Sequence, residues 1–118
     1  MKIKNTNVLI TGGASGIGKI MGRMALEKGA KSLIIWDVNQ ESLDKTAAEL
    51  ASRERVYTYK VDITNSQLVA QTYEQVKQDC GSVDILINCA GIVRGNKTFD
   101  LQTEQDIRLT FEVNTIAP

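Results

Sequence analysis

Two kinds of hydrophobic pattern alternate along the chain. Short apolar runs occur at Val8-Leu9-Ile10, at Leu33-Ile34-Ile35-Trp36, over residues 56–61 and over residues 83–87, three of the four unbroken or nearly so. Such runs predict parallel strands covered on both faces. Between them, apolar residues recur at helical spacing. Ile17, Ile20, Met21 and Met24 form one stripe, with Gly29 placed to end that helix. Leu43, Ala47 and Leu50 form a second stripe, and Leu68, Thr72, Val76 and Cys80 a third. The third is preceded by Thr64-Asn65-Ser66-Gln67, which has the Thr-x-x-Gln form of a capping box. A fourth helix is expected from about Thr103, with Ile107, Phe111 and Asn114 on one side. Strand and helix thus alternate four times, which predicts an α/β fold with a doubly wound parallel sheet joined by right-handed crossovers. No linker, low-complexity tract or short repeat divides the chain, so residues 1–118 are expected to form one domain. The last helical pattern has no strand after it, and the domain is therefore expected to be truncated at its carboxyl end.

Composition narrows the chemistry. The 118 residues carry 14 basic and 14 acidic side chains, a net charge of zero, so no overall field favours nucleic acid or an anionic membrane. Histidine is absent, which excludes Ser-His-Asp and Cys-His nucleophile arrangements and histidine-ligated metals. Cys80 and Cys89 lack metal-binding spacing and read as reduced thiols. The polar start of the chain lacks the apolar stretch of a signal peptide, and no apolar run approaches the roughly 20 residues of a membrane span. A soluble cytoplasmic protein with no membrane anchor is expected.

The candidate chemistry lies between the first strand and the first helix. Thr11-Gly12-Gly13-Ala14-Ser15-Gly16-Ile17-Gly18 would let the chain turn sharply and bring bare backbone N–H groups against a pyrophosphate at the positive end of a helix. Gly13 to Gly18 followed by Lys19 also fits the start of a P-loop. That motif needs Ser or Thr next, to hold Mg²⁺, and Ile20 stands there, so a nucleotidase is the weaker reading even with Asp37 ending an apolar strand. The glycine intervals of four and two from Gly12 do not fit a G-x-x-G-x-x-G turn. Asp37, nineteen residues after Gly18, is placed to accept hydrogen bonds from the adenosine ribose. It would repel a 2′-phosphate by about 4 kcal/mol at about 4 Å and an effective dielectric of about 20, before solvent screening. Neither Ala14 nor Ser15 supplies a countering charge, so NAD is expected in preference to NADP.

These residues resemble the short-chain dehydrogenase/reductase family, in its compact classical subclass, over the whole chain. Thr11-Gly12-x-x-x-Gly16-x-Gly18 resembles its cofactor turn, and Asp37 falls at its NAD-selecting position. Val61-Asp62-Ile63-Thr64 is similar to the segment whose Asp touches adenine. Asn88-Cys89-Ala90-Gly91 is similar to the family's Asn-Asn-Ala-Gly, with Cys89 replacing the second Asn. That thiol reads as a small buried hydrophobe. Val113-Asn114 resembles the fourth-helix position whose Asn belongs to the catalytic tetrad.

The resemblance implies a Rossmann-type sheet with strand order 3-2-1-4. It implies a cofactor site drawn from Gly12, Ser15, Gly16, Ile17, Gly18, Asp37, Asp62, Ile63, Asn88, Ala90 and Gly91, with Asn114 catalytic. The implied activity is hydride transfer between NAD(H) and a secondary alcohol or carbonyl compound, and the implied assembly of the full-length protein is a homo-oligomer. Ile35-Trp36-Asp37 and Phe111-Glu112-Val113-Asn114 are similar to the branch acting on retinoids and hydroxysteroids. The family's catalytic Ser and Tyr-x-x-x-Lys would lie beyond Pro118. Tyr73 and Lys77 spell Tyr-x-x-x-Lys too early in the chain, and read as helical neighbours on a surface. This stretch by itself is therefore expected to be inactive, and its uncovered fourth strand to favour poor folding or self-association. A complete, non-catalytic NAD-binding module is the alternative from a different class.

Overall fold

The computed structural model describes residues 2–50 and 55–90. Seven elements follow in the order β1 (Asn7–Thr11), α1 (Gly16–Glu27), β2 (Ser32–Asp37), α2 (Gln40–Glu49), β3 (Val56–Lys60), α3 (Ser66–Cys80) and β4 (Ile85–Asn88). The strands form one parallel sheet in the order β3-β2-β1-β4. The expected fourth helix, with Asn114, lies outside the described residues, as does Gly91.

Position in the sheet explains the strand patterns. Every residue of β1 is buried, as are the first five residues of β2, because both strands are central and covered on two sides. Strand β4, bordered among the described residues by β1 alone, alternates half-buried Ile85 and Ile87 with exposed Leu86 and Asn88. Register aligns Val8 with Leu33 and Ile10 with Ile35, and these four pack on Leu43, Leu50 and Ala25 of the α1 and α2 side. Leu9, Ile34 and Trp36 point to the other face, against Val61 and Val76 of the α3 side. The sheet therefore has a core on each face.

The stripe expected to bury α1 is a correction. Ile17, Ile20 and Met24 are 73%, 56% and 48% exposed, and the buried positions are Gly18, Gly22 and Ala25. The helix lies too close to the sheet for large side chains: a Cβ on Gly22 would stand 3.0 Å from Cδ2 of Leu33. Met21 and Leu26 are packed at the margins of this contact. The helix ends as expected at Gly29 (φ 86°), whose N–H donates to Leu26 while that of Ala30 donates to Ala25.

The cap of α3 is also different from the expected one. Asn65, not Thr64, is the N-cap, and its side-chain oxygen accepts from the Leu68 N–H at 3.0 Å. The Thr64 hydroxyl is taken by Asp62 Oδ1 at 2.6 Å. An acidic neighbour two residues upstream outcompeted the helix for that hydroxyl.

The two edges of the sheet differ in kind. At the edge where β1 starts, buried Asn7 donates through Nδ2 to the carbonyls of Cys80 (3.1 Å) and Ser82 (2.8 Å) and accepts from Ser32 Oγ (2.7 Å). Its own N–H donates to Asp84 Oδ2 at 2.7 Å. One residue thus joins β1, β2 and the turn leading into β4. At the opposite edge, where all four strands end, the chain leaves a cleft.

Candidate functional site

The cleft measures about 650 Å³ and opens where β1 has β2 on one side and β4 on the other. In open α/β sheets this switch point is the expected ligand crevice. The glycine turn forms one wall through Gly12, Ser15, Ile17 and Gly18. The ends of β2 and β3 supply Trp36, Asp37 and Val38, then Val61, Asp62, Ile63 and Thr64. Cys89 and Ala90, just past β4, close the remaining side.

Two approaches of bare backbone make the turn possible. A Cβ on Gly18 would collide with the carbonyl oxygen of Gly12, and a Cβ on Gly12 would stand 2.8 Å from both N and Cα of Ala90. Gly16 is different: its φ is 55°, yet nothing lies within 4 Å of where its Cβ would be. The left-handed conformation requires glycine there, and the position faces open space.

Among the described residues three helices begin near this edge, and their N-termini are not alike. Asn39 caps α2 by accepting from the Ser42 N–H, and Asn65 caps α3 in the same way. The N-cap of α1 is Ser15, extended at φ −158° and ψ 162°, and its side chain makes no capping bond. No acidic residue stands in the first turn of α1 either. The first N–H groups of a helix carry a positive partial charge and need an acceptor. Those of α1 find none in a side-chain cap, and they open onto a cleft walled by bare glycine. This arrangement fits a pyrophosphate.

Asp37 is held rigidly. Its Oδ2 accepts from the Ala14 N–H at 3.1 Å, and its Oδ1 accepts from the N–H groups of Val38 (2.8 Å) and Asn39 (3.3 Å). A carboxylate offers about four acceptor positions, so one remains for a sugar hydroxyl after these three bonds. Asp62 Oδ1 accepts from both the N–H and the hydroxyl of Thr64, at 3.0 and 2.6 Å.

Of the expected site residues, the structure brings Gly12, Ser15, Ile17, Gly18, Asp37, Asp62, Ile63 and Ala90 to the walls of one cleft, with Gly16 opening α1 between Ser15 and Ile17. Asn88 stands exposed at the end of β4, opposite Thr11, and is not among those walls. Trp36, Val38, Val61, Thr64 and Cys89 join the walls without having been anticipated. Cys89 packs as a half-buried hydrophobe, its Sγ 3.6 Å from Met21 Sδ. Thr46 of α2, 1% exposed, donates its hydroxyl to the Ala14 carbonyl at 3.1 Å and so touches the turn from behind. Nothing in the sequence pattern marks that threonine out.

Rival chemistry is not assembled. Lys19, the P-loop candidate, is paired with Glu49 of α2, and this ion pair holds the Glu49 carboxyl below its ordinary range. Tyr73 and Lys77 lie on α3 outside the cleft, the ammonium 5.9 Å from the ring centroid and 3.9 Å from Glu74. Tyr59 donates to Asp79 at 2.6 Å, and burial together with that carboxylate pushes its phenol well above the ordinary value. Burial likewise raises the Cys80 thiol, which makes it a poor nucleophile. Among the described residues no cluster of metal ligands occurs, and no helix is long and apolar enough to cross a membrane.

Comparison with known proteins gives a family and a shared fold. A family model described as short chain dehydrogenase matches residues 6–118. Human estradiol 17-beta-dehydrogenase 11 is 38% identical over 111 residues, covering 93% of this chain and 36% of the relative. Mouse epidermal retinol dehydrogenase 2 is 39% identical over 109 residues, covering 91% and 35%. Among solved structures, a glucose/ribitol dehydrogenase from Brucella melitensis superposes with a TM-score of 0.88 at 29% identity, covering 99% of this chain and 48% of its own. The chain thus spans about a third of the length of these curated relatives.

Proposed function

Since the chain belongs to the short-chain dehydrogenase family, a family of NAD(P)-dependent oxidoreductases, we propose that it forms the NAD-binding part of an enzyme acting on an alcohol or carbonyl substrate. The observation that carries the reading is the first helix: alone among the three described, it begins without a side-chain cap, and it begins in the cleft. The N–H groups after Ser15 receive the pyrophosphate. Asp37 takes the adenosine ribose with its remaining acceptor position, while Asp62 and Ile63 border the adenine. When bound, the dinucleotide supplies the hydride donor or acceptor.

Preference for NAD follows from charge. A 2′-phosphate would sit against a carboxylate fixed by three backbone N–H groups, which leaves it no rotamer by which to retreat. Even half of the repulsion of about 4 kcal/mol expected at about 4 Å exceeds a tenfold preference. Asn114 is assigned to the proton relay by its place in the sequence alone. The relatives' names, with estradiol and retinol, favour a lipophilic alcohol as substrate.

Calorimetry on the intact protein tests the reading. NADH should bind without added metal, and at least about tenfold tighter than NADPH. Equal affinities overturn the role of Asp37. Binding of ATP only with Mg²⁺, and no binding of NADH, overturns the whole reading.

A further inference from the structure

We propose that Thr46 is a positioning residue of the cofactor site: together with Asp37 it clamps the Ala14 peptide units, and this clamp sets the shape of the phosphate-binding turn. The inference rests on the dinucleotide reading above and adds to it a residue that faces away from the ligand.

Ala14 is the middle of a turn made largely of glycine, with Gly12 and Gly13 before it and Gly16 two residues after. Glycine permits the turn but does not select it, since it gives the backbone more conformations to lose. Selection has to come from bonds. Gly12 donates to the Trp36 carbonyl at 2.7 Å, which fixes the entry. Farther along, Ala14 is gripped on both of its polar groups. Its N–H donates to Asp37 Oδ2 at the end of β2, and its carbonyl accepts from Thr46 Oγ1 in α2, each at 3.1 Å. Ala14 is 4% exposed and Thr46 1%, so water does not substitute freely for either bond. The two gripping residues belong to successive elements, β2 and α2, and hold the turn against both.

Two consequences follow. The position of the N–H groups after Ser15 depends on a hydroxyl that never meets the cofactor. Asp37 also serves twice, reading the sugar with one part of its carboxylate and holding the turn with another. Asp37 thus takes part in both sugar and phosphate recognition, whereas Thr46 takes part in phosphate recognition alone.

The test compares two ligands in the intact protein. Thr46→Val keeps the shape and removes the donor. ADP-ribose, which needs the turn, should weaken about tenfold, whereas adenosine, measured by competition, should change less than about twofold. Thr46→Ser restores the hydroxyl and should return ADP-ribose to within about twofold of the natural protein. If Thr46→Val does not fold, Thr46→Cys offers the same comparison with only a weak donor. Unchanged ADP-ribose affinity overturns the clamp. So does an equal loss for both ligands with a lowered Tm, the signature of a residue that merely stabilises α2. If the natural protein binds adenosine but gains nothing from the pyrophosphate, the dinucleotide reading fails, and the clamp fails with it.

Discussion

The two edges of the sheet are built by opposite rules. Where β1 begins, Asn7 is buried with every side-chain polar atom bonded, and it ties three segments together. Where β1 ends, the backbone is bare, a helix starts without a cap, and the fixed carboxylate of Asp37 keeps an acceptor position in reserve. Satisfied polar groups hold a fold together, and unsatisfied ones are what a ligand can answer. At one end of the strands the bonds of Asn7 tie segments together, and at the other the uncapped start of α1 and the remaining acceptor position of Asp37 leave groups that a ligand can answer. Stability and binding should therefore respond to different substitutions.

The largest effect is expected at the satisfied edge. Asn7→Ala leaves two carbonyls and a buried hydroxyl without their partner. Unfolding free energy should fall by about 3–4 kcal/mol, measured by urea denaturation of the intact protein. Cofactor affinity of the protein that remains folded should be unchanged. A matching loss of affinity would show that the two edges are not independent. Gly18→Ala reverses the pattern. Its Cβ meets the Gly12 carbonyl, a backbone atom that can move only by deforming the turn. NADH affinity should drop about 100-fold, the loss of about 3 kcal/mol expected when hydrogen bonds to a charged phosphate are misaimed. A variant that binds normally would mean that the turn is not the phosphate site.

The sequence exposed these two regions unequally. The cleft was legible because its devices are local: a glycine string after an apolar run, and Asp37 at the next strand end, follow one another in the chain. The alternation of strands and helices was legible for the same reason, since apolar runs and helical stripes are local patterns, whereas the strand order came with the family resemblance. The buried face of α1 was not. A stripe of Ile17, Ile20 and Met24 looks like a core face when residues are ranked by size, but closeness to the sheet selects Gly18, Gly22 and Ala25. Thr46 and Asn7 were hidden for another reason. Each acts on groups 25 to 75 residues away, and nothing in a neighbouring stretch of sequence records such a bond.

Asp37→Asn should give a smaller effect than either edge substitution, and it sharpens the comparison within the cleft. The amide oxygen can still accept from backbone N–H groups, but the negative charge that opposes a 2′-phosphate is gone. The ratio of NADPH to NADH dissociation constants should fall about tenfold toward unity. NADH binding should weaken as well, since one carboxylate oxygen becomes a donor facing either the Ala14 N–H or those of Val38 and Asn39. A changed ratio with undiminished NADH affinity would separate sugar reading from turn holding, and would break the link drawn at Ala14.

The smallest effect belongs to the ion pair between Lys19 and Glu49, which joins α1 to α2 beside the turn but on its outer side. Lys19 holds the Glu49 carboxyl below its ordinary 4.5 in the folded chain. A carboxyl lowered by folding contributes stability that is whole above its unfolded value and fades as pH falls through its folded one. The contribution should thus be present at neutral pH and disappear in acid below 4.5. Exposed pairs of this kind are weak and screened by salt. Glu49→Gln should therefore lower Tm slightly at pH 7, by progressively less as pH falls below 4.5, and lose even the neutral-pH effect in high salt. NADH affinity should stay the same throughout, because Lys19 engages α2 and not the phosphate turn. A loss of affinity in Glu49→Gln would instead place Lys19 at the ligand and return the P-loop reading to contention.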